Sequence, residues 1–300
     1  MEISSCAVCP RRCRVRRTAA EGAGFCGMPA DPTLARAALH FGEEPCISGT
    51  RGSGTVFFSG CSLGCVFCQN QPISHGRFGE TVTVRRLADI FRELAEAGAH
   101  NINLVNPTPH VPAILRALEL YKPPVPLVYN TGGYERVETL RALEGAVEVY
   151  LPDLKYIHED IAQRFSGAAD YFAAASAAVL EMARQTGPME LDGEGIARRG
   201  TLVRHLVLPG HIRETTAVLD WMAAHLPRGT WVSLLFQYTP VCAPAVYPEL
   251  NRRLTARECD KAFRYLEELG LTDGYVQERE SAGSKYIPAF DLTGVEKRAD

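Results

Sequence analysis

The 300-residue sequence has no apolar run long enough to span a membrane and no apolar N-terminal region typical of a secretory signal. It also has no internal repeat and no low-complexity tract, which argues against disordered, collagenous and coiled-coil proteins. Neither sign of charge dominates, because 32 Lys and Arg residues are balanced by 35 Asp and Glu residues. A nucleic-acid partner would therefore need a local basic patch. We expect a cytoplasmic, globular protein with no membrane association.

Cysteine is the residue type with an unusual distribution. Eight of the ten cysteines lie within the first 68 residues. In a reducing compartment, such thiols are more often metal ligands or catalytic groups than disulfide partners. Residues 1–48 have little hydrophobic periodicity, and a segment of this size buries too little apolar surface to fold unaided. We therefore predict a small Cys-rich metal-binding module over residues 1–48.

Short apolar runs alternate with helical patterns from about residue 52 onward. The predicted strands are 55–59, 101–105, 126–130, 147–154, 201–208 and 231–238. The predicted helices are 83–98, 111–121, 134–145, 168–186, 212–226 and 254–269. This alternation favours an α/β fold with a parallel sheet, either open or closed into a barrel. We assign residues 49–245 to this domain and residues 246–300 to a C-terminal helix and a segment that covers the open side.

Three closely spaced cysteines directly follow the first predicted strand. Cys61, Cys65 and Cys68 have the spacing C-x3-C-x2-C. Three thiolates on one loop suit a cubane iron–sulfur cluster, and they leave one iron free to coordinate a substrate or a cofactor. A zinc loop that borrows a fourth ligand is the alternative, although structural zinc usually has paired C-x2-C spacing.

This loop, with the aromatic Phe67 before its last cysteine, resembles the signature of radical S-adenosylmethionine (SAM) enzymes. Over roughly residues 43–290 the chain is similar to the pyruvate formate-lyase activating enzymes and their uncharacterised relatives. The resemblance implies a partial (β/α)6 TIM-like barrel with its site at the carboxyl ends of the strands. It also implies a [4Fe-4S] cluster on the three cysteines, where reductive cleavage of SAM gives a 5′-deoxyadenosyl radical that abstracts hydrogen.

The resemblance further assigns polar residues at later strand ends to SAM binding. Arg204 in LVRHLVLPG matches a family pattern and suits the methionine carboxylate, because a guanidinium can donate two parallel hydrogen bonds. A structural ion pair is the alternative for Arg204 and for the D-L-K motif, where some relatives hold a monovalent cation. The usual Gly-Gly-Glu turn is absent, and Asn106 and Thr108 stand in its place. The predicted cofactor-binding residues are Phe67, Asn106, Thr108, Asn130, Thr131, Asp153, Lys155 and Arg204.

The N-terminal cysteines form a second candidate metal site. Cys6, Cys9, Cys13 and Cys26 could close a tetrahedral zinc site or hold a second [4Fe-4S] cluster, and the spacing does not separate these alternatives. Cys46 could replace one ligand. The neighbouring arginines lack the interleaved aromatic residues that would stack on bases, so nucleic acid is not expected. A flavodoxin- or ferredoxin-type electron donor, or a protein substrate, is the more reasonable partner.

These observations predict a radical SAM oxidoreductase similar to glycyl-radical-enzyme activases. Its substrate would be a protein glycine or a smaller molecule, which the sequence does not specify. Two other classes stay open. One is a zinc-stabilised RNA- or protein-binding module with an inactive barrel, and the other is an iron–sulfur electron-transfer protein.

Overall fold

The computed structural model describes residues 2–241, 245–277 and 288–296. The strands are β1 (Thr33–His40), β2 (Ser53–Phe58), β3 (Glu80–Thr81), β4 (Ile102–Val105), β5 (Leu127–Thr131), β6 (Val149–Pro152), β7 (Glu190–Leu191), β8 (Ala197–Leu206), β9 (Trp231–Leu235) and β10 (Gly274–Val276). The α-helices are α1 (Pro45–Ser48), α2 (Gln71–Ser74), α3 (Val84–Glu96), α4 (Val111–Leu120), α5 (Val137–Arg141), α6 (Glu159–Ser166), α7 (Tyr171–Thr186), α8 (Ile212–His225) and α9 (Ala256–Glu268).

The strands form one sheet in the order β10-β9-β8-β6-β5-β4-β2-β1-β3, with β7 paired to β8. The pairs from β2 through β10 along this path are all parallel, whereas β1 pairs with β2 and β3 in antiparallel fashion. All six predicted strands are present, as β2, β4, β5, β6, β8 and β9. The α/β fold with a parallel sheet, of the partial-barrel type, is therefore confirmed.

Helix α3 packs on the outer face of the sheet through an apolar stripe. Helix α3 begins after Thr83, whose hydroxyl accepts a hydrogen bond from Arg86 N and so caps a free backbone donor. Its buried side chains, Leu87 and Phe91 among them, pack in one core with the outward-facing Tyr129 of β5. Burial of each such large apolar side chain contributes about 1.5–3 kcal/mol to stability.

The inner face of the sheet is closed at its base by helix α1. Cys46 and Ile47 are fully buried there against Val128 of β5, Val149 of β6 and Leu202 of β8. Because side chains alternate along a strand, Asn130 of β5 and Arg204 of β8 point to this same inner side, nearer the carboxyl ends. The interior therefore has an apolar floor with a polar layer above it.

Three features differ from the sequence-based expectation or extend it. Strand β1 (Thr33–His40) adds an antiparallel edge within the segment that we assigned to the Cys-rich module. The helix predicted over 134–145 is shorter, at Val137–Arg141, because an extended Arg136 precedes it. The C-terminal segment that we expected to cover the open side of the barrel includes strand β10. Residues 278–287 of that segment lie outside the described part of the chain. Within the described residues, no helix combines the length and the hydropathy needed to cross a membrane.

Candidate functional site

The carboxyl ends of the parallel strands surround a cavity of about 230 Å³. Several predicted site residues line it together. They are Cys65, Phe67, Cys68, Asn130, Asp153, Lys155 and Arg204. Topology explains this convergence, because the inward-facing residues at the ends of neighbouring parallel strands meet at one edge of the sheet.

The segment of residues 59–70, here called the cysteine loop, connects β2 to α2. Its thiols meet hydroxyl groups: Cys65 Sγ lies 2.9 Å from Ser166 Oγ, and Cys68 Sγ lies 3.2 Å from Ser74 Oγ. Burial raises the pKa of the Cys61 thiol, and the nearby Cys65 raises it further. Burial also raises the pKa of Cys65, against the opposing effect of Lys155. Metal binding requires these thiols to lose their protons, and a bound cation would compensate the thiolates.

Backbone contacts fix the shape of the cysteine loop. The amide groups of Gly64 and Val66 donate to the carbonyls of Ser166 (3.1 Å) and Phe165 (2.9 Å) at the end of α6. The Asn106 side chain donates to the Gly60 carbonyl. Gly60 itself has φ 73°, a left-handed conformation that favours glycine. The loop is therefore held in place by hydrogen bonds to the end of α6 and to Asn106.

Arg204 is the centre of a buried charge cluster. Its Nε donates to Asp153 Oδ1 at 3.0 Å, its Nη2 donates to Asn130 Oδ1 at 2.6 Å, and its Nη1 lies 3.4 Å from Glu43 Oε2. Lys155 Nζ lies 2.6 Å from the other oxygen of Asp153. Although burial acts to raise the pKa of Asp153, Lys155 and Arg204 hold it below its ordinary value. A monovalent cation at Asp153 would have to share this carboxylate with two cationic side chains, Lys155 and Arg204.

Glu43 is a site residue that the sequence analysis missed. It lies in the segment between β1 and α1, and its Oε1 accepts from Asn103 Nδ2 (3.3 Å) and Asn130 Nδ2 (3.1 Å). Burial raises the pKa of Glu43 to about 7, against the lowering effect of Arg204. The only sequence signal was a pair of glutamates before a proline, which is too common to single out.

Three predicted cofactor-binding residues lie away from the cavity lining. Thr108 and Thr131 both donate through their hydroxyls, at 2.5 Å, to Oε1 of the buried Glu135. Asn106 supports the cysteine loop through its hydrogen bond to the Gly60 carbonyl. Asn130 and Thr131 are neighbours in a strand, so alternation sends their side chains to opposite faces. The structure thus brings Asn130 to the cavity and Thr131 to the outer core.

The N-terminal cysteines Cys6, Cys9, Cys13 and Cys26, here called the cysteine quartet, lie on two tight turns. Burial raises the pKa of Cys9 to about 12, and the nearby thiols of Cys26 and Cys6 add to this shift. Burial also raises the pKa of Cys26, with further contributions from Cys6 and Cys13. The four thiols are therefore electrostatic neighbours.

Arg17 ties the quartet to the barrel. Its side chain is fully buried and donates to the Pro29 carbonyl, to the Pro109 carbonyl at 2.8 Å, and to Cys6 Sγ at 3.6 Å. No carboxylate lies within ion-pair distance of Arg17 in the described part of the chain. The quartet also abuts the cysteine loop, because a Cβ on Gly60 would lie 3.0 Å from the Cys26 carbonyl oxygen.

The other cysteines lie elsewhere. Cys46 is buried in the barrel floor, Cys259 is buried on α9, and Cys242 lies outside the described residues. Within the described ranges, no three His, Cys, Asp or Glu side chains converge around a single metal ion. In a cubane, by contrast, each thiolate binds its own iron corner.

Comparison with known proteins gives the family. The model of the Radical SAM superfamily matches residues 55–222, which is more than half of the chain. The chain is also 32% identical over 276 residues to the uncharacterised protein MJ0674 of Methanocaldococcus jannaschii, covering 89% of this chain and 75% of that protein. The chain therefore belongs to the radical SAM superfamily, and the resemblance stated from its sequence is confirmed. It is an enzyme of a superfamily that uses SAM.

One solved structure supports this fold, and a second match is weaker. SuiB of Streptococcus suis, bound to its precursor peptide SuiA, has a TM-score of 0.50 and 11% identity. The match covers 73% of this chain and 47% of the SuiB chain, so this chain spans about half of that relative. A domain of a pyruvate-formate lyase-activating enzyme from Bacteroides vulgatus has a TM-score of 0.40 and 14% identity, over 65% of this chain and 91% of that domain.

Proposed function

We propose that this protein cleaves SAM reductively at a [4Fe-4S] cluster held by Cys61, Cys65 and Cys68, and that the resulting 5′-deoxyadenosyl radical abstracts hydrogen from a substrate. The observation that carries this proposal is the position of the three thiols. They lie on a fixed loop, and two of them line a cavity that also presents Arg204 and Asp153.

The residues present fit both cofactors. Three thiols and no fourth protein ligand on the loop are the donor set for a cubane with one open iron. When bound, the cluster supplies the electron that breaks the S–C5′ bond of SAM. Arg204 offers N–H groups for the methionine carboxylate, while Asn130 offers an amide beside it. Phe67 lines the same cavity and is 6% exposed, which suits it to pack against the adenine.

Other side chains keep this site in position and dry. Asp153, paired with both Lys155 and Arg204, fixes the orientation of the guanidinium in the absence of SAM. Asn106 holds the turn before Cys61. The apolar floor around Ile47 excludes water from below, and this protects a reactive radical from side reactions.

We also propose that the cysteine quartet binds a metal centre, either zinc or a second [4Fe-4S] cluster. A cluster fits the side chains as they stand better than zinc does, because no three potential ligands among the described residues converge around one ion. The buried Arg17 supports this proposal, because a buried cation needs a compensating anion and its guanidinium donates to Cys6 Sγ. A metal–thiolate centre would supply that anion. If the centre is a cluster, its position beside Gly60 suits a relay from a flavodoxin- or ferredoxin-type donor to the cysteine loop.

The activity is tested by anaerobic purification, reconstitution, and addition of SAM with a strong reductant. We expect 5′-deoxyadenosine and methionine to be released. Cys65→Ala should abolish this release, whereas Cys259→Ala, which changes a cysteine outside both sets, should retain it. Release by Cys65→Ala at the normal rate, or zinc without iron in the wild-type protein, would refute the proposal. The activase-like subtype stays a prediction that needs a glycyl-radical partner.

A further inference from the structure

A second cavity adjoins the site cavity. It has a volume of about 270 Å³ and shares five lining residues with the first: Gly42, Glu43, Arg204, Leu235 and Gln237. None of its described lining residues belongs to the cysteine loop. The two cavities therefore adjoin along these shared residues, and only the first is lined by the thiols of Cys65 and Cys68.

Three oxygen atoms of residues that line the second cavity lack hydrogen-bond partners within the described residues. They are Glu44 Oε2, Ser233 Oγ and Gln277 Oε1. Ser233 is only 1% exposed, so solvent does not satisfy its hydroxyl. An unsatisfied buried polar group costs roughly 1–3 kcal/mol, and each such group in a native protein needs an explanation. All three atoms can accept a hydrogen bond, which indicates a ligand that donates several.

The polar groups next to these oxygens already have other hydrogen-bond partners. Gln277 Nε2 donates to Gln237 Oε1 at 3.1 Å, which orients the free amide oxygen of Gln277. Arg204 is the cation of the second cavity, and its guanidinium already has Asp153 and Asn130 as partners. Glu43 pairs with Arg204, which leaves Glu44 as the carboxylate of the lining with an oxygen that no described donor reaches.

We propose that the second cavity is the substrate pocket and binds a small molecule through an ammonium group held by Glu44, Ser233 and Gln277. An ammonium has three N–H donors and no acceptor, which matches three free acceptors, one of them the carboxylate oxygen of Glu44. The inference rests on the proposed function, because a substrate for hydrogen abstraction must lie next to the SAM cavity. The shared boundary at Leu235 and Gln237 lets the carbon chain of the ligand extend toward the cysteine loop.

The probe is n-butylammonium, titrated into the reconstituted holoenzyme with saturating SAM and followed by saturation-transfer NMR. Neutral n-butanol and anionic butyrate have the same chain length and serve as matched ligands. We expect saturable binding of butylammonium alone. Glu44→Gln should raise its Kd about tenfold or more, since a charged hydrogen bond is lost. Glu119→Gln, an exposed change on α4, is the matched control and should leave the Kd unchanged.

Ser233→Ala separates a binding role from a structural one. Because the hydroxyl has no partner in the free protein, this variant should unfold at the wild-type temperature or above it. It should nevertheless bind butylammonium more weakly. Weaker binding together with intact stability supports the pocket, whereas wild-type affinity in both Ser233→Ala and Glu44→Gln would overturn it.

Two further results would also overturn the inference. Equal binding of butanol or butyrate would show that charge is not recognised. Competition between butylammonium and SAM would assign the ammonium site to the α-amino group of SAM itself. SAM cleavage is measured separately, so failure to cleave SAM with intact butylammonium binding refutes the proposed function, while cleavage without ammonium binding refutes the inference alone.

Discussion

Arg204→Met tests whether the buried charge cluster exists before SAM binds. The substitution removes a cation whose three nitrogen positions face Asp153, Asn130 and Glu43 at 3.0, 2.6 and 3.4 Å. Removing one member of a buried ion pair costs about 3–5 kcal/mol, because the partner carboxylate is left uncompensated. We therefore expect the free energy of unfolding, measured by urea denaturation, to fall by that amount. Arg116→Met on the exposed face of α4 should change it little.

Double-mutant cycles then apportion this loss between the two carboxylates. Combining Arg204→Met with Asp153→Asn, and separately with Glu43→Gln, should give coupling energies of about 1–3 kcal/mol. The coupling to Asp153 should be the larger, because its contact is shorter and involves a direct hydrogen bond. A loss below about 1 kcal/mol for Arg204→Met, or additive double mutants, would refute the assignment of Arg204 as the anchor of the cluster.

Three other substitutions test the surroundings of the site. Burial raises the pKa of Glu135 from 4.5 to about 7. The folded chain then binds more protons than the unfolded chain between these values, so stability falls as pH rises through this window. Glu135→Gln should reduce this fall of stability with pH, measured by denaturation at several pH values. An unchanged dependence of stability on pH would contradict the assignment. Gly60→Ala should lower both stability and iron content, because φ is 73° and the new Cβ would lie 2.3 Å from Met28 Cγ. Gly98 has φ 86° and open space around a new Cβ, so Gly98→Ala should lose only the backbone cost of about 1–2 kcal/mol in stability. An equal loss of stability in Gly60→Ala and Gly98→Ala would exclude crowding against Met28 as a cause. Arg17→Met should reduce the metal content of the cysteine quartet, and wild-type metal content would argue against its role as a counter-ion.

The parallel sheet was predictable because each of its strands leaves a recognisable pattern in the local sequence. Each strand from β2 to β9 in the parallel set is a short apolar run followed by a turn and a helical pattern, and this order constrains the topology. Strand β1 was missed because TLARAALH does not alternate cleanly between apolar and polar residues. Its pairing with β2 is a long-range contact that the local pattern does not contain.

The candidate site was likewise predictable only where the local sequence carries a signal. Arg204 and Asp153 were predicted from motifs that resemble those of a known family, and the structure places both at the cavity. Thr131 was grouped with Asn130 although adjacent strand residues face opposite sides, and the structure gives it to Glu135 instead. Glu43 comes from a short connecting segment before the first predicted strand, so only the packing of α1 under the barrel reveals its position.

The most direct test of the central claim is an electron paramagnetic resonance spectrum of the reduced, reconstituted protein before and after SAM is added. A cluster held by Cys61, Cys65 and Cys68 alone has an iron that SAM can coordinate, so we expect its signal to shift on addition of SAM. The shifting signal should be missing from Cys65→Ala. A spectrum in which no signal changes on addition of SAM, or a SAM-dependent signal that persists in this variant, would contradict the account.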